Sequence, residues 1–147
     1  MKETFKLVSR KTETGLQVEN ETRGFKLLID EPENEGGTNT GMTPVEALLA
    51  ALGSCQTICA FAFARLKRIN LEGFHVELEG DLDPDGFMGK DPNVRNGFQE
   101  IRYTMHFKSD ASQEELEEYA AFIESRCPIA DCLSQPVPLK LTAVVKE

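Results

Sequence analysis

The chain has 147 residues, 16 basic against 25 acidic side chains, a net charge of −9 and a sequence pI near 4.8. So acidic a balance repels phosphate backbones and anionic lipid, and neither nucleic acid nor a membrane is expected as a partner. The length suits one domain, 1–147, able to bury roughly 70% of the surface its unfolded form exposes; the polar opening MKETFKLVSRKTETG is no secretion signal and points to the cytoplasm.

From the N-terminus, FKLV, GLQVE and GFKLLID read as three strands, with a hairpin at TETG and another turn near NETRG. The next stretch, EPENEGGTNTGM, is too rich in Gly, Pro and acid to pack and reads as an exposed loop. Behind it, Thr43 and Pro44 suit an N-cap and a first helical position, and Glu46 falls where the helix dipole favours an anion. A run without charge follows from Ala47 to Ala64, and RLKR closes the same helix with cations. About 24 residues would make a rod of roughly 36 Å. The uncharged run approaches the ~18 residues a membrane span needs. Gly53, Ser54, Gln56 and Thr57 occupy its centre, however, so it reads as a helix buried all round in a soluble domain.

Beyond the helix, FHVELEGDL and FQEIRYTMHF alternate with period two. Phe74, Val76 and Leu78 face one way with Ile101, Tyr103, Met105 and Phe107; His75 and His106 fall on the polar face, where surface histidine is the simplest reading. DPDGFMGKDPNVRNG between them is a long loop of the lid or tip kind. SQEELEEYAAFIES carries a capping box, Ser112 with Glu115, and an apolar stripe at Leu116, Tyr119, Ala120 and Ile123. VPLKLTAVV closes as a strand. Strands, a long helix, two strands, a helix and a strand make an α+β domain without βαβ repetition.

Four cysteines in a chain without a secretion signal suggest reduced, redox or metal-binding thiols more readily than a disulfide scaffold. Pro128 interrupts the second helix and starts a short one over Ile129 to Leu133, with Cys127 as its N-cap, a position that lowers a thiol pKa from about 8.5 to between roughly 3.5 and 7.5. Cys55 lies inside the long helix, where burial alone would raise its pKa and leave it inert without a neighbouring cation. Cys59 is one turn further on the same face, so a disulfide within the helix would be strained. Cys59 and Cys132 read as small buried hydrophobes. The Cys-x3-Cys and Cys-x4-Cys spacings do not match structural zinc knuckles, and no metal site is expected.

TGMTPVEALLAALGSC resembles the Pro-x-Glu approach to a helix-borne cysteine in the OsmC-like proteins, the osmotically inducible protein C and organic hydroperoxide resistance group. RCPIADCL resembles their second cysteine followed by proline, and the acidic DEPENEGGTNTG loop adds to the likeness. The resemblance implies an OsmC-like fold: antiparallel sheets wrapped around long central helices in an intertwined homodimer, with two active sites at the subunit boundary. It also implies that a Cys55 thiolate reduces an organic hydroperoxide, that Cys127 resolves the sulfenic acid as a disulfide, and that an external dithiol restores both. No metal or organic cofactor is required. In the peroxidase branch an early arginine and a glutamate at the helix start form a relay to the thiolate. Here Gln17 or Val18 stands at the arginine's position, so Arg23, or else Arg10, is the candidate cation and Glu46 its carboxylate. Glu46 precedes Cys55 by about 13.5 Å along the helix on the opposite face, so a relay needs a bridging arginine or a partner chain. Leu52, Phe61 and Phe63 either line a pocket for an alkyl peroxide or belong to the core. The contrasting expectation is a non-enzymatic dimeric module that binds a small apolar ligand or senses redox state.

Overall fold

The computed structural model describes Met1–Glu147 as two compact units, residues 1–50 and 51–147. In the first unit, strands β1 (Val8–Lys11), β2 (Val18–Thr22) and β3 (Phe25–Ile29) form an antiparallel sheet in that order. FKLV, expected as the first strand, contributes only Val8. The pairing of Val8 with Glu21 and of Lys11 with Val18 fixes the register further along the chain and leaves Phe5 and Leu7 exposed. The β2–β3 turn is tight, with Arg23 at φ 52° and Gly24 at φ 85°. Both central positions are thus left-handed, as in the turns whose twist matches a hairpin.

The acidic loop after β3 is fastened, contrary to the expectation of an unpacked segment. Asp30, only 1% exposed, accepts hydrogen bonds from the Thr38 and Thr40 hydroxyls at 2.5 and 2.6 Å and from the amides of Glu31, Thr38 and Thr40. The hydroxyls above all hold its carboxyl far below the usual range, so it stays charged and satisfied although buried. One short chain of donors thereby closes the loop before the helix begins.

Helix α1 (Pro44–Ala64) starts in the first unit and continues in the second. Its N-terminus carries a reciprocal cap: the Glu46 amide donates to the Thr43 hydroxyl at 3.2 Å, and the Thr43 amide donates to the Glu46 carboxylate at 2.8 Å. The helix ends at Ala64, earlier than expected. RLKR forms a turn instead, in which Arg68 takes φ 58° and the Ile69 amide returns to the Ala64 carbonyl at 2.9 Å. Nor is α1 buried all round: Leu52, Gln56, Cys59, Ala60 and Ala64 form one buried stripe, while Ile58 and Phe61 are exposed on the other side, Ile58 by 67%.

The second unit packs β4 (Leu71–Asp81) antiparallel to a later strand, β5 (Glu100–Ser109), in continuous register from Asp81↔Glu100 to Gly73↔Lys108. A four-residue helix, α2 (Pro84–Phe87), lies in the long loop between them. The inner face of this two-stranded sheet contributes Phe74, Leu78, Ile101, Tyr103, Met105 and Phe107 to the core. Helix α3 (Gln113–Arg126) has the expected capping box at Ser112 and Glu115, and buries Tyr119 and Ile123. Burying a side chain such as Ile123 completely contributes about 1.5–3 kcal/mol. At Gly53 a Cβ would meet Leu78 Cδ1 at 2.8 Å, so the absent side chain lets α1 approach β4.

After α4 (Pro128–Ser134) the chain has no regular structure, and the expected strand at VPLKLTAVV is not formed. Leu139, Leu141, Val144 and Val145 are at least 78% exposed. The alternating pattern is there, but a strand needs a neighbour to satisfy its amides and carbonyls, and none pairs with this segment within the chain.

Candidate functional site: a buried cluster of three thiols

Cys55, Cys59 and Cys127 meet in the core of the second unit, between α1 and the junction of α3 with α4. Cys55 is the neighbour of both other thiols and influences the proton affinity of each. Cys59 and Cys127 are 7% and 1% exposed, whereas Cys55 is half-buried and is the member of the trio open to solvent. All are free thiols. Cys132, expected to be buried, lies on the exposed side of α4, because the helix is seven residues long and turns only one side to the core.

The break at Arg126-Cys127-Pro128 has the expected form. Cys127 ends α3 by donating its amide to the Ile123 carbonyl at 3.1 Å and caps α4 by accepting the Ala130 amide on its sulfur at 3.3 Å. The electrostatic consequence is the reverse of the one expected. Burial, and then the adjoining Cys55 thiol, push the Cys127 thiol up, and the Ala130 and Ile129 amides oppose this only in part. A short helix offers two amides to the sulfur, which does not compensate for removing a thiolate from water. Burial also raises Cys59, with the neighbouring Cys127 charge adding to the effect.

Two polar groups border the thiols. The Tyr103 hydroxyl donates to Glu124 Oε1 at 2.5 Å, and burial followed by that carboxylate pushes its pKa up to about 12. Gln56, one residue beyond Cys55, is fully buried, and neither its amide oxygen nor its nitrogen has a hydrogen-bond partner. Tyr103 is its polar neighbour, but that hydroxyl is turned to Glu124. Sequence reasoning noted Gln56 only as a polar interruption of an apolar helix. Its place beside the thiols carried no signal, since nothing in the run marks which face is buried.

The charged candidates Arg23 and Glu46 belong to the first unit. Arg23, at the tip of the β2–β3 turn, lays its guanidinium over the Phe25 ring at 5.2 Å. Glu46 is engaged in the α1 cap described above. Of the apolar candidates, Leu52 is core at 3% exposure, Phe63 packs edge-on against Phe122, and Phe61 is 49% exposed. Arg126, adjacent to Cys127 in sequence, places its guanidinium over Phe122.

A family model described as OsmC-like protein matches residues 37–142, and the chain belongs to that family. Among curated proteins it is 27% identical over 112 residues to a hydroperoxide reductase of Mycoplasma genitalium, covering 74% of this chain and 72% of that protein. A hydroperoxide reductase of Mycoplasma pneumoniae is likewise 27% identical, over 124 residues, with 82% and 81% covered. Among solved structures, an OsmC-like protein from Mycoplasma pneumoniae aligns with a TM-score of 0.79 at 22% identity, over 92% of this chain and 91% of the other. The fold is therefore an OsmC-like α+β arrangement of antiparallel sheets and helices.

Proposed function

We propose that this protein is a thiol-dependent peroxidase that reduces organic hydroperoxides. The observation that carries the reading is the adjacency of Cys55, on α1, and Cys127, at the junction of α3 and α4, in the core of the second unit. The family match and the curated relatives named hydroperoxide reductase support the same class of reaction.

In the first step the Cys55 thiolate attacks a peroxide oxygen. The O–O bond breaks, the sulfur is oxidised by two electrons to a sulfenic acid, and the alkoxide takes a proton and leaves as the alcohol. In the second, the Cys127 sulfur attacks the sulfenic sulfur, an S–S bond forms, and hydroxide leaves as water. An external dithiol then exchanges with the disulfide and returns both thiols. The raised Cys127 pKa suits this order: a thiol held protonated stays unreactive towards peroxide and is consumed only after Cys55 has been oxidised. Half-exposed Cys55 is the sulfur a peroxide can reach. In this reading Arg23 is the activating cation, standing in for the arginine that the resemblance would place at Gln17 or Val18, and Glu46 is its orienting carboxylate. Arg23→Met then slows alkylation of Cys55 at neutral pH, and an unchanged rate would remove Arg23 from the mechanism.

The working form is proposed to be a homodimer. Ile58 and Phe61, one turn apart, leave an uncovered apolar patch on α1, and the unpaired C-terminal segment exposes a second apolar pattern, both of which a second copy would bury. Ile58→Glu should therefore shift the sedimenting species from dimer to monomer.

The decisive experiment adds one equivalent of tert-butyl hydroperoxide to the reduced protein, follows free thiols with time, and maps any disulfide by peptide mass. Rapid loss of two thiols with a Cys55–Cys127 link is expected, and Cys127→Ser should stop at the sulfenic acid. Thiols that survive for an hour would replace this reading with a binding or sensing module of the same fold.

A further inference from the structure

Apart from the thiols, one other cluster of ligating side chains stands out, on the opposite, solvent-facing side of the β4–β5 sheet. His75 and His106 are directly paired across the two strands, and their rings stack 4.3 Å apart with planes 4° from parallel. Glu77 projects from the same face two residues along β4, and its Oε2 lies 3.1 Å from His106 Nε2. One donor atom from each of the three residues falls within 4.8 Å of the other two. The chain contains only these two histidines.

We propose that His75, Glu77 and His106 form a binding site for a divalent transition-metal ion of the zinc class. Geometry carries the proposal. Bonds of about 2.0–2.1 Å to imidazole nitrogen and carboxylate oxygen place neighbouring ligands of a tetrahedral ion about 3.3 Å apart. The His106–Glu77 separation already has that value to within a few tenths of an ångström, so a metal ion can replace the proton the pair shares. His75 completes the triad by rotating an exposed side chain between staggered wells, with no movement of the backbone. The strands fix the three Cα positions by their register, a more rigid support than a loop offers.

The donor chemistry decides the class of ion. Two imidazoles and one carboxylate suit zinc, copper, nickel or cobalt, whereas calcium and magnesium demand oxygen-rich shells. Cations on the same face are directed elsewhere: Arg102 is held by Glu79, Asp81 and Glu100, and Lys108 lies 3.9 Å from Glu72. Three protein ligands leave a coordination position for water. This site is separate from the thiols and does not depend on the peroxidase reading.

The test uses the untagged, reduced, full-length chain and Zn2+. Because the chain has two histidines, its imidazole NMR signals report the site without ambiguity. One equivalent of Zn2+ should move both sets of signals together and saturate at one ion per chain. His106→Ala and His75→Ala should each weaken Zn2+ binding at least as much as loss of an outer-shell partner does, about tenfold to a hundredfold. Imidazole signals that stay in place while Zn2+ binds, as they would if only the thiols took the ion, overturn the proposal. An affinity unchanged in His106→Ala overturns it as well. The wild-type titration stands even if a variant fails to fold.

Discussion

Adjacent residues of β5, Arg102 on the outer face of the sheet and Tyr103 on the inner, belong to two sets of ionisable groups whose proton affinities are shifted for opposite reasons. On the inner face, Tyr103 is raised to about 12, and Cys59, Cys127 and Tyr119 beneath it are raised as well, with burial the first cause in every case. On the outer face, Arg102 holds Asp81 in a bidentate pair at 2.6 and 3.0 Å, so the carboxyl is lowered and the guanidinium raised. Inside, withdrawal from water favours the neutral form of every acid. Outside, a partner of opposite sign favours the charged form, and solvent screens the pair. The alternation of a single strand therefore separates an interior, in which the proposed thiol chemistry would depend on controlled burial, from a polar surface of paired charges.

The largest effect that would sharpen this contrast is on turnover. Cys55→Ser removes the proposed nucleophile and should lower the rate of tert-butyl hydroperoxide consumption on the order of a thousandfold or more. Glu79→Gln, on the outer face, should leave that rate unchanged. A comparable loss in both variants would mean that the division between the faces does not govern activity. Next comes stability. Ile123 is fully buried against the thiols, and Ile123→Ala should cost about 2–5 kcal/mol in urea unfolding. Thr104→Ala, exposed on the outer face, should stay within about 0.5 kcal/mol.

A smaller effect follows from the pKa directions. Cys59 and Cys127 are raised on folding, so their contribution to stability is complete below the unfolded thiol value, about 8.5, and is lost as pH rises through their folded values. Asp81 is lowered, so its contribution is present above the unfolded carboxyl value, about 3.9, and is lost as pH falls through its folded value. Under reducing conditions the urea midpoint should decline between about pH 8 and 10. Cys127→Ala should flatten that decline while leaving the acid limb as it is. An alkaline slope identical to that of the unaltered chain would show that the inner thiols do not set it.

What could be read from the sequence divides along similar physical lines. Local chemistry was legible: Thr43, Pro44 and Glu46 start α1, Ser112 with Glu115 starts α3, and Cys127 with Pro128 makes the break, because each cap is decided within four residues. The two-residue alternation of β4 and β5 placed both histidines on the outer face. Features set by distant partners were not legible. The first strand begins at Val8 because β2 fixes its register, and α1 stops at Ala64 although RLKR has ample helix propensity. The C-terminal alternation failed as a strand because its pattern requires a neighbour the single chain does not supply. Convergence of Cys55 on Cys127 followed from the family likeness and from no local pattern. The sign of the Cys127 shift was misjudged because the cap was visible in sequence and the depth of burial was not.

Gln56 tests the inner face most finely. A fully buried amide with no partner costs about 1–3 kcal/mol in lost hydration, and removing the unpaired group in favour of an apolar one of similar shape is neutral or stabilising. Methionine is close to glutamine in length and volume, is unbranched and flexible, and brings no strong hydrogen-bonding group, so Gln56→Met should raise the stability by about 1 kcal/mol while α1 keeps its contact with Leu78 through Gly53. Urea unfolding of the reduced protein gives the sign directly. Destabilisation by more than about 1 kcal/mol would mean that the amide is paired in solution. The polar group nearest to hand for such a pairing is the Tyr103 hydroxyl, which would then have to release Glu124.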